Sequence, residues 1–166
     1  MNRRTNGVAR QTGGRNLDRI DRLILKSLQI DGRKSVSDLA REVHLTVSPC
    51  LDRVHRLEVE GYIQGYTASL NPHRLGVRLL AFVEVRLDRT TPEAFEQFRA
   101  ALESIEEVVE CHMVAGSYDY LIKIRVADIE AYRRLLGERL ARLPGIAQTR
   151  TYIAVEEVIS ARSFNF

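Results

Sequence analysis

Cysteine is scarce in this chain: Cys50 and Cys111 are the only two in 166 residues, and they form neither a CxxC nor a second cluster. That spacing excludes a disulfide framework and argues against a zinc site, so neither a metal nor a cofactor is expected. Each cysteine sits among apolar neighbours and reads as a small core residue. Long apolar runs are missing too. Nothing approaches the roughly 20 residues needed to cross a bilayer, and the basic, glycine-rich start has no apolar h-region. A cytoplasmic protein without a membrane partner is expected. Catalytic signatures are also lacking: there is no phosphate loop, no Ser-His-Asp order and no HExxH. His112 follows Cys111, but neighbours on a strand point to opposite faces and cannot readily share a metal or act as nucleophile and base. His44, His55 and His73 stand alone in sequence, so no enzyme is expected.

Acid is absent from residues 1–16, where Arg3, Arg4, Arg10 and Arg15 supply the whole of the net charge of +3 and one unit more. Residues 17–70 balance at zero and residues 71–166 carry −1. Such a flexible basic arm suits phosphates or a minor groove. It equally suits a disordered tail. The remainder, with 45% hydrophobic and 28% charged residues, has the composition of soluble globular domains, and its length fits two small ones.

Helical periodicity dominates residues 17–61. Leu17, Ile20, Leu23, Ile24 and Leu28 mark a first helix closed by Gly32, with Asp18 and Asp21 at its positive end. Ser35 can cap a second, with Asp38 returning the bond, and Leu39, Ala40 and Val43 face inward. After a tight turn at His44 and Leu45, Thr46 or Ser48 can cap a third helix, with Pro49 in its first turn and Gly61 at its end. On that helix Val47, Cys50, Leu51, Val54 and Leu57 share one side. Ser48, Pro49, Asp52, Arg53, His55 and Arg56 occupy the other. Short polar groups and arginines so placed suit base edges and phosphates in a major groove, which nominates Ser35, Ser48, Pro49, Asp52, Arg53 and Arg56 as DNA-binding residues. The same spacing also fits a solvated helix pair.

Residues 62–77 read as a short strand, YIQGYTASL, followed by a linker broken at Asn71 and Pro72. From Arg78 the period becomes two: Ala81, Val83, Val85 and Leu87 face one way, Leu80, Phe82, Glu84 and Arg86 the other. Thr91 and Pro92 open a helix with Phe95, Phe98, Ala101, Leu102 and Ile105 inward. Strands at about 108–114 and 119–126 follow, then a helix from Asp128 to Leu143 burying Ile129, Tyr132, Leu135, Leu136 and Leu140, and a last strand over 146–158. The order β-α-β-β-α-β predicts an α+β fold whose second domain, 78–158, is ferredoxin-like, with 159–166 as a tail. Both helices fall on one face of the sheet. The open face mixes Leu80, Phe82 and Leu121 with charges, which predicts a homodimer.

The stretches LAREVHLTVSPCLDRVHRLEVEGYIQGY, LNPHRLG, FVEV, ECHMVAGSYDYLIKIRV, YRRLLGE and LPGIAQTRTYIAVEEV resemble the Lrp/AsnC, or feast/famine, family of transcription regulators over about Leu17 to Val158. The family usually has glycine where this turn has His44, a residue type that tolerates a left-handed backbone. The resemblance implies a helix-turn-helix domain that binds double-stranded DNA, a hinge strand pairing with a dimer mate, and a ferredoxin-like (RAM) domain. It also implies assembly of dimers into octamers or larger rings. An amino-acid effector, leucine first, is implied at a site including Gly116 and Asp119. The chemistry fits: Asp119 can accept an ammonium, Gly116 lets backbone N–H groups approach a carboxylate, and Met113 can sort the side chain. Ser117, Tyr118, Thr149 and Thr151 complete the candidate set. By turn chemistry alone GSYD also reads as a plain hairpin loop. Two other functions stay open on the residues: an architectural protein compacting DNA without sequence choice, and an enzyme-regulatory subunit using the second domain allosterically.

Overall fold

The computed structural model describes residues 16–160 and 164–166. The basic arm therefore lies outside the described residues except for Asn16. The chain divides into two compact units, one running to Ser69 and including the residues from Ser160 onward, the other Leu70–Ile159. Of the expected tail, Ser160 and residues 164–166 thus group with the helical unit, and Ile159 with the other.

In the first unit, α1 (Arg19–Ile30), α2 (Val36–Glu42) and α3 (Val47–Val59) pack around Ile24, Leu39, Ala40, Val43, Cys50, Val54 and Leu57, all buried. Helix α1 opens with a full capping box: Asp18 accepts from the Asp21 amide at 2.8 Å and Asp21 accepts from the Asp18 amide at 3.1 Å. Two donors that a helix start leaves orphaned are thereby satisfied. Ser35 caps α2 by accepting from the Asp38 amide, while the Asp38 carboxylate takes the Ser35 hydroxyl. The turn to α3 is a Schellman motif, in which the His44 amide donates to Arg41 O and the Leu45 amide to Ala40 O. His44 occupies the left-handed position at φ 57°. A second network joins α1 to α2: Lys34 Nζ donates to Ser27 and Glu42, and the Ser27 hydroxyl to Glu42.

Two expectations for α3 need correction. Val47 and Leu51, assigned inward, are about half exposed at 49% and 50%. The buried stripe consists of Cys50, Val54 and Leu57, and the two misassigned residues lie on its flank. The strand expected within residues 62–70 does not form, and no ladder partner for it exists among the described residues. An isolated extended segment has no backbone pairing of its own to hold it.

In the second unit, β1 (Leu79–Leu87), β2 (Val108–Met113), β3 (Tyr120–Val126) and β4 (Ile146–Ile153) form an antiparallel sheet in the order β2-β3-β1-β4. Helices α4 (Pro92–Leu102) and α5 (Ile129–Glu138) cover one face and share a core of Val83, Val85, Phe98, Leu102, Ile122, Ile124, Tyr132 and Leu135. Phe98 stacks on Tyr120 with ring centroids 4.7 Å apart. Thr91 caps α4 through the Ala94 amide and Asp128 caps α5 through the Ala131 amide. The α+β reading holds, as does the inward facing of Ala81, Val83, Val85 and Leu87; Leu80, expected on the open face, is buried as well, at 5% exposure. Three details differ: α5 stops at Glu138 and passes into a short 3-10 helix at Leu140–Arg142, β4 stops at Ile153, and Ile129 is 49% exposed because it stands in the first turn of α5. Cys111 is exposed as well, since β2 is the sheet's edge strand.

Candidate functional site

Helix α3 presents Thr46, Val47, Ser48, Pro49 and Asp52 at the surface of the first unit. Thr46 is the N-cap residue, yet its side chain takes no hydrogen bond from the first turn. The amides of Val47 and Ser48 thus face outward at the positive end of the helix dipole, where an anion is stabilised. Ser35 is also exposed, with its hydroxyl committed to the α2 cap.

The two arginines nominated with this face are not free. Arg53 Nη1 lies 2.6 Å from Asp18 and 2.7 Å from Asp21, and Arg56 Nη2 lies 2.6 Å from Asp21. Asp21 is one of two polar residues buried among the described residues, at 2% exposure. Burial alone would raise its carboxyl, but the bonds from Arg56 and Arg53 outweigh that and hold it below the ordinary aspartate range. The Asp21 amide, and then Arg53, lower Asp18 in the same way. These arginines clamp α3 to the start of α1. The sequence did carry the signal, since Asp18 and Asp21 stand three apart on one helix and Arg53 and Arg56 three apart on another. It did not show that the two pairs meet.

The second unit holds a cavity of about 230 Å³ lined by Glu84, Arg86, Ser117, Tyr118, Gln148, Thr149 and Arg150. Glu84 is paired across the strands with Arg150, and Arg86 with Gln148. Of the nominated effector residues, Ser117, Tyr118 and Thr149 line this cavity, whereas Met113, Gly116, Asp119 and Thr151 do not. Thr151 is bonded to the Tyr132 hydroxyl, and Met113 is exposed on β2. Asp119 anchors the loop instead. Its Oδ2 accepts from the Leu87 amide at 2.7 Å, where β1 has a register break, and its own amide donates to Val85 O. Glu84, Arg86, Gln148 and Arg150 line the cavity but are not among the nominated residues, because alternation marks them only as the polar face of a strand. A larger, mostly apolar cavity of about 450 Å³ in the first unit, walled by Leu25, Leu28, Tyr62, Tyr66, Phe164 and Phe166, contains none of the nominated residues. Among the described residues no helix is long and apolar enough to cross a membrane.

Comparison with known proteins gives these geometries a common frame. Residues 17–58 match the AsnC-type helix-turn-helix domain, and residues 80–164 the Lrp/AsnC ligand binding domain. The chain is 59% identical to the leucine-responsive regulatory protein of Salmonella typhimurium, over 87% of this chain and 88% of that protein. Among solved structures it resembles a transcriptional regulator of Neisseria meningitidis in complex with L-methionine. That match has TM-score 0.85 and 31% identity, covering 90% of this chain and 96% of that one. It also resembles a feast or famine regulatory protein of M. tuberculosis complexed with L-methionine, with TM-score 0.81 and 38% identity, covering 89% of this chain and 98% of that one. A capped three-helix unit with an exposed third helix, followed by a ferredoxin-like ligand domain, places the chain in the Lrp/AsnC family of transcriptional regulators.

Proposed function

We propose that this regulator works in the cytoplasm on amino-acid metabolism genes. It binds pseudo-palindromic double-stranded DNA as a homodimer, or as dimers assembled into an octamer, and an amino acid changes that binding. Base edges and phosphates meet the start of α3 through Ser48, Pro49 and Asp52, with Ser35 beside them. Arg53 and Arg56 flank that surface.

The observation that carries the effector half is the pairing of Glu84 with Arg150 beside Arg86 in one cavity. A free amino acid is a zwitterion. A carboxylate on one strand suits its ammonium, and two guanidiniums suit its carboxylate, in the bidentate manner that favours arginine. The loop Gly116–Asp119 closes this end of the sheet, with Asp119 holding the loop to β1 and Met113 and Thr151 standing on the neighbouring strands. Leucine is the first candidate and methionine the second, following the relatives. The effector moves DNA affinity only as far as it prefers one binding or assembly state.

Thermal melting with each of the twenty amino acids tests the reading. A bound effector stabilises the folded form by mass action, about 2.7 kcal/mol at a hundredfold excess over Kd, and so raises the midpoint. Asp119→Ala, which removes the loop's side-chain bond to β1, is expected to keep DNA binding and lose that rise; a variant that still responds like the parent shows that the loop Asp119 holds plays no part in binding the effector.

A further inference from the structure

We infer that Asp18 and Asp21 are specificity-determining residues for DNA: by holding the Arg53 and Arg56 guanidiniums against α1, they withhold cations from the phosphate backbone and leave discrimination to the start of α3. The inference rests on the proposed reading that the exposed face of α3 meets DNA. Three observations support it. The contacts are direct and short, 2.6 to 2.7 Å for three nitrogen–oxygen pairs. Asp21 is buried, so its charge has little water to screen it and, among the described residues, no other counterion than these two arginines. The recess where the side chains meet, about 320 Å³, is lined by Asp18, Asp21 and Asp52 against Arg53 and Arg56. Three carboxylates against two guanidiniums leave that rim of the reading helix with no net positive charge.

Phosphate contacts raise affinity for every sequence alike, whereas base-edge contacts discriminate. A regulator that must ignore most DNA gains from having its longest cations occupied. Asp18 and Asp21 act through the arginines, not by touching DNA, and so are positioning residues. Their capping box also fixes where the arginines are held, because the carboxylates that bond Arg53 are the ones that bond each other's amides.

The test uses the full chain and two duplexes, one selected from a random pool by the parent protein and one scrambled, with binding followed by fluorescence anisotropy from low to moderate salt. Asp18→Asn, Asp21→Asn and the double variant are compared with the parent after circular dichroism confirms folding. The scrambled duplex is expected to bind more tightly and the selected-to-scrambled ratio to fall, most in the double variant. The plot of log K against log salt should steepen by about 0.9 for each guanidinium that reaches a phosphate. Adding Arg56→Gln to Asp21→Asn should return the slope toward the parent's. An unchanged slope in folded variants overturns the inference, as does a falling ratio without a change of slope, which would mean only a misplaced helix. If Asp21→Asn fails to fold, Asp18→Asn, altering a half-exposed residue, decides by the same slope. A parent that does not prefer its selected duplex points instead to failure of the DNA-face reading itself.

Discussion

Asp21 divides one carboxylate among three donors: the Asp18 amide, Arg53 and Arg56. Removing one partner of a buried ion pair costs about 3 to 5 kcal/mol, because the charges left behind lose their compensation. The arginines keep between a quarter and a third of their side-chain exposure and can recover some hydration. Asp21→Ala is therefore expected near the lower bound, about 3 kcal/mol, read as a shift of the urea midpoint. The same carboxylate makes a pH prediction. Its folded-state value, like that of Asp18, lies below the ordinary 3.8. A depressed carboxyl stabilises the fold above its unfolded value and loses that contribution as pH falls through the folded one. The helical unit should thus lose stability below about pH 4. In Asp21→Asn that acid limb should be shallower, and an identical acid profile in parent and variant would show that the clamp contributes nothing.

At the scale of elements, the turn between α2 and α3 carries a strain that its sequence announces. His44 holds φ 57° to complete the Schellman motif, and a residue with a Cβ pays about 1 to 2 kcal/mol for that conformation. Glycine removes the strain but adds about 0.5 to 1 kcal/mol of chain entropy on unfolding. His44→Gly should accordingly stabilise the protein by about 0.5 to 1 kcal/mol, seen as a higher melting temperature. Elements with local causes were the legible ones. Thr91 with Pro92, Asp128, Ser35 and the alternation of β1 each announce a boundary or a face within a few residues. Features set by distant partners were not. The segment after Ile63 has strand composition and no strand to pair with among the described residues, the exposure of Val47 and Leu51 depends on which sides of α3 the other helices cover, and the commitment of Arg53 depends on a contact 35 residues away. The cavity was half legible, through its loop residues Ser117 and Tyr118. Its charged wall comes from β1 and β4, more than sixty positions apart in the chain and joined only by the sheet.

For the whole molecule, the question is what covers the sheet face opposite α4 and α5. Phe82 on β1 lies across from Tyr152 on β4, and Tyr152 remains 45% exposed. Around them stand the ion pairs Lys123 with Glu110 and Arg125 with Glu157. An apolar centre within a charged rim is how subunit contacts are commonly built. Phe82→Asp should yield a monomer by sedimentation while circular dichroism stays that of the parent; a variant that keeps the parent's mass would mean that assembly uses another surface. Glu84, Arg86 and Arg150 point from the same side of the same two strands as Phe82 and Tyr152. If copies join through this face and the effector sits in this cavity, as proposed, whatever settles between those charges lies beside the seam, and effector and neighbouring subunit act on one patch. Dilution would then be a variable of sensing: the amino-acid concentration that half-saturates the regulator would shift with how much of the regulator the cell holds.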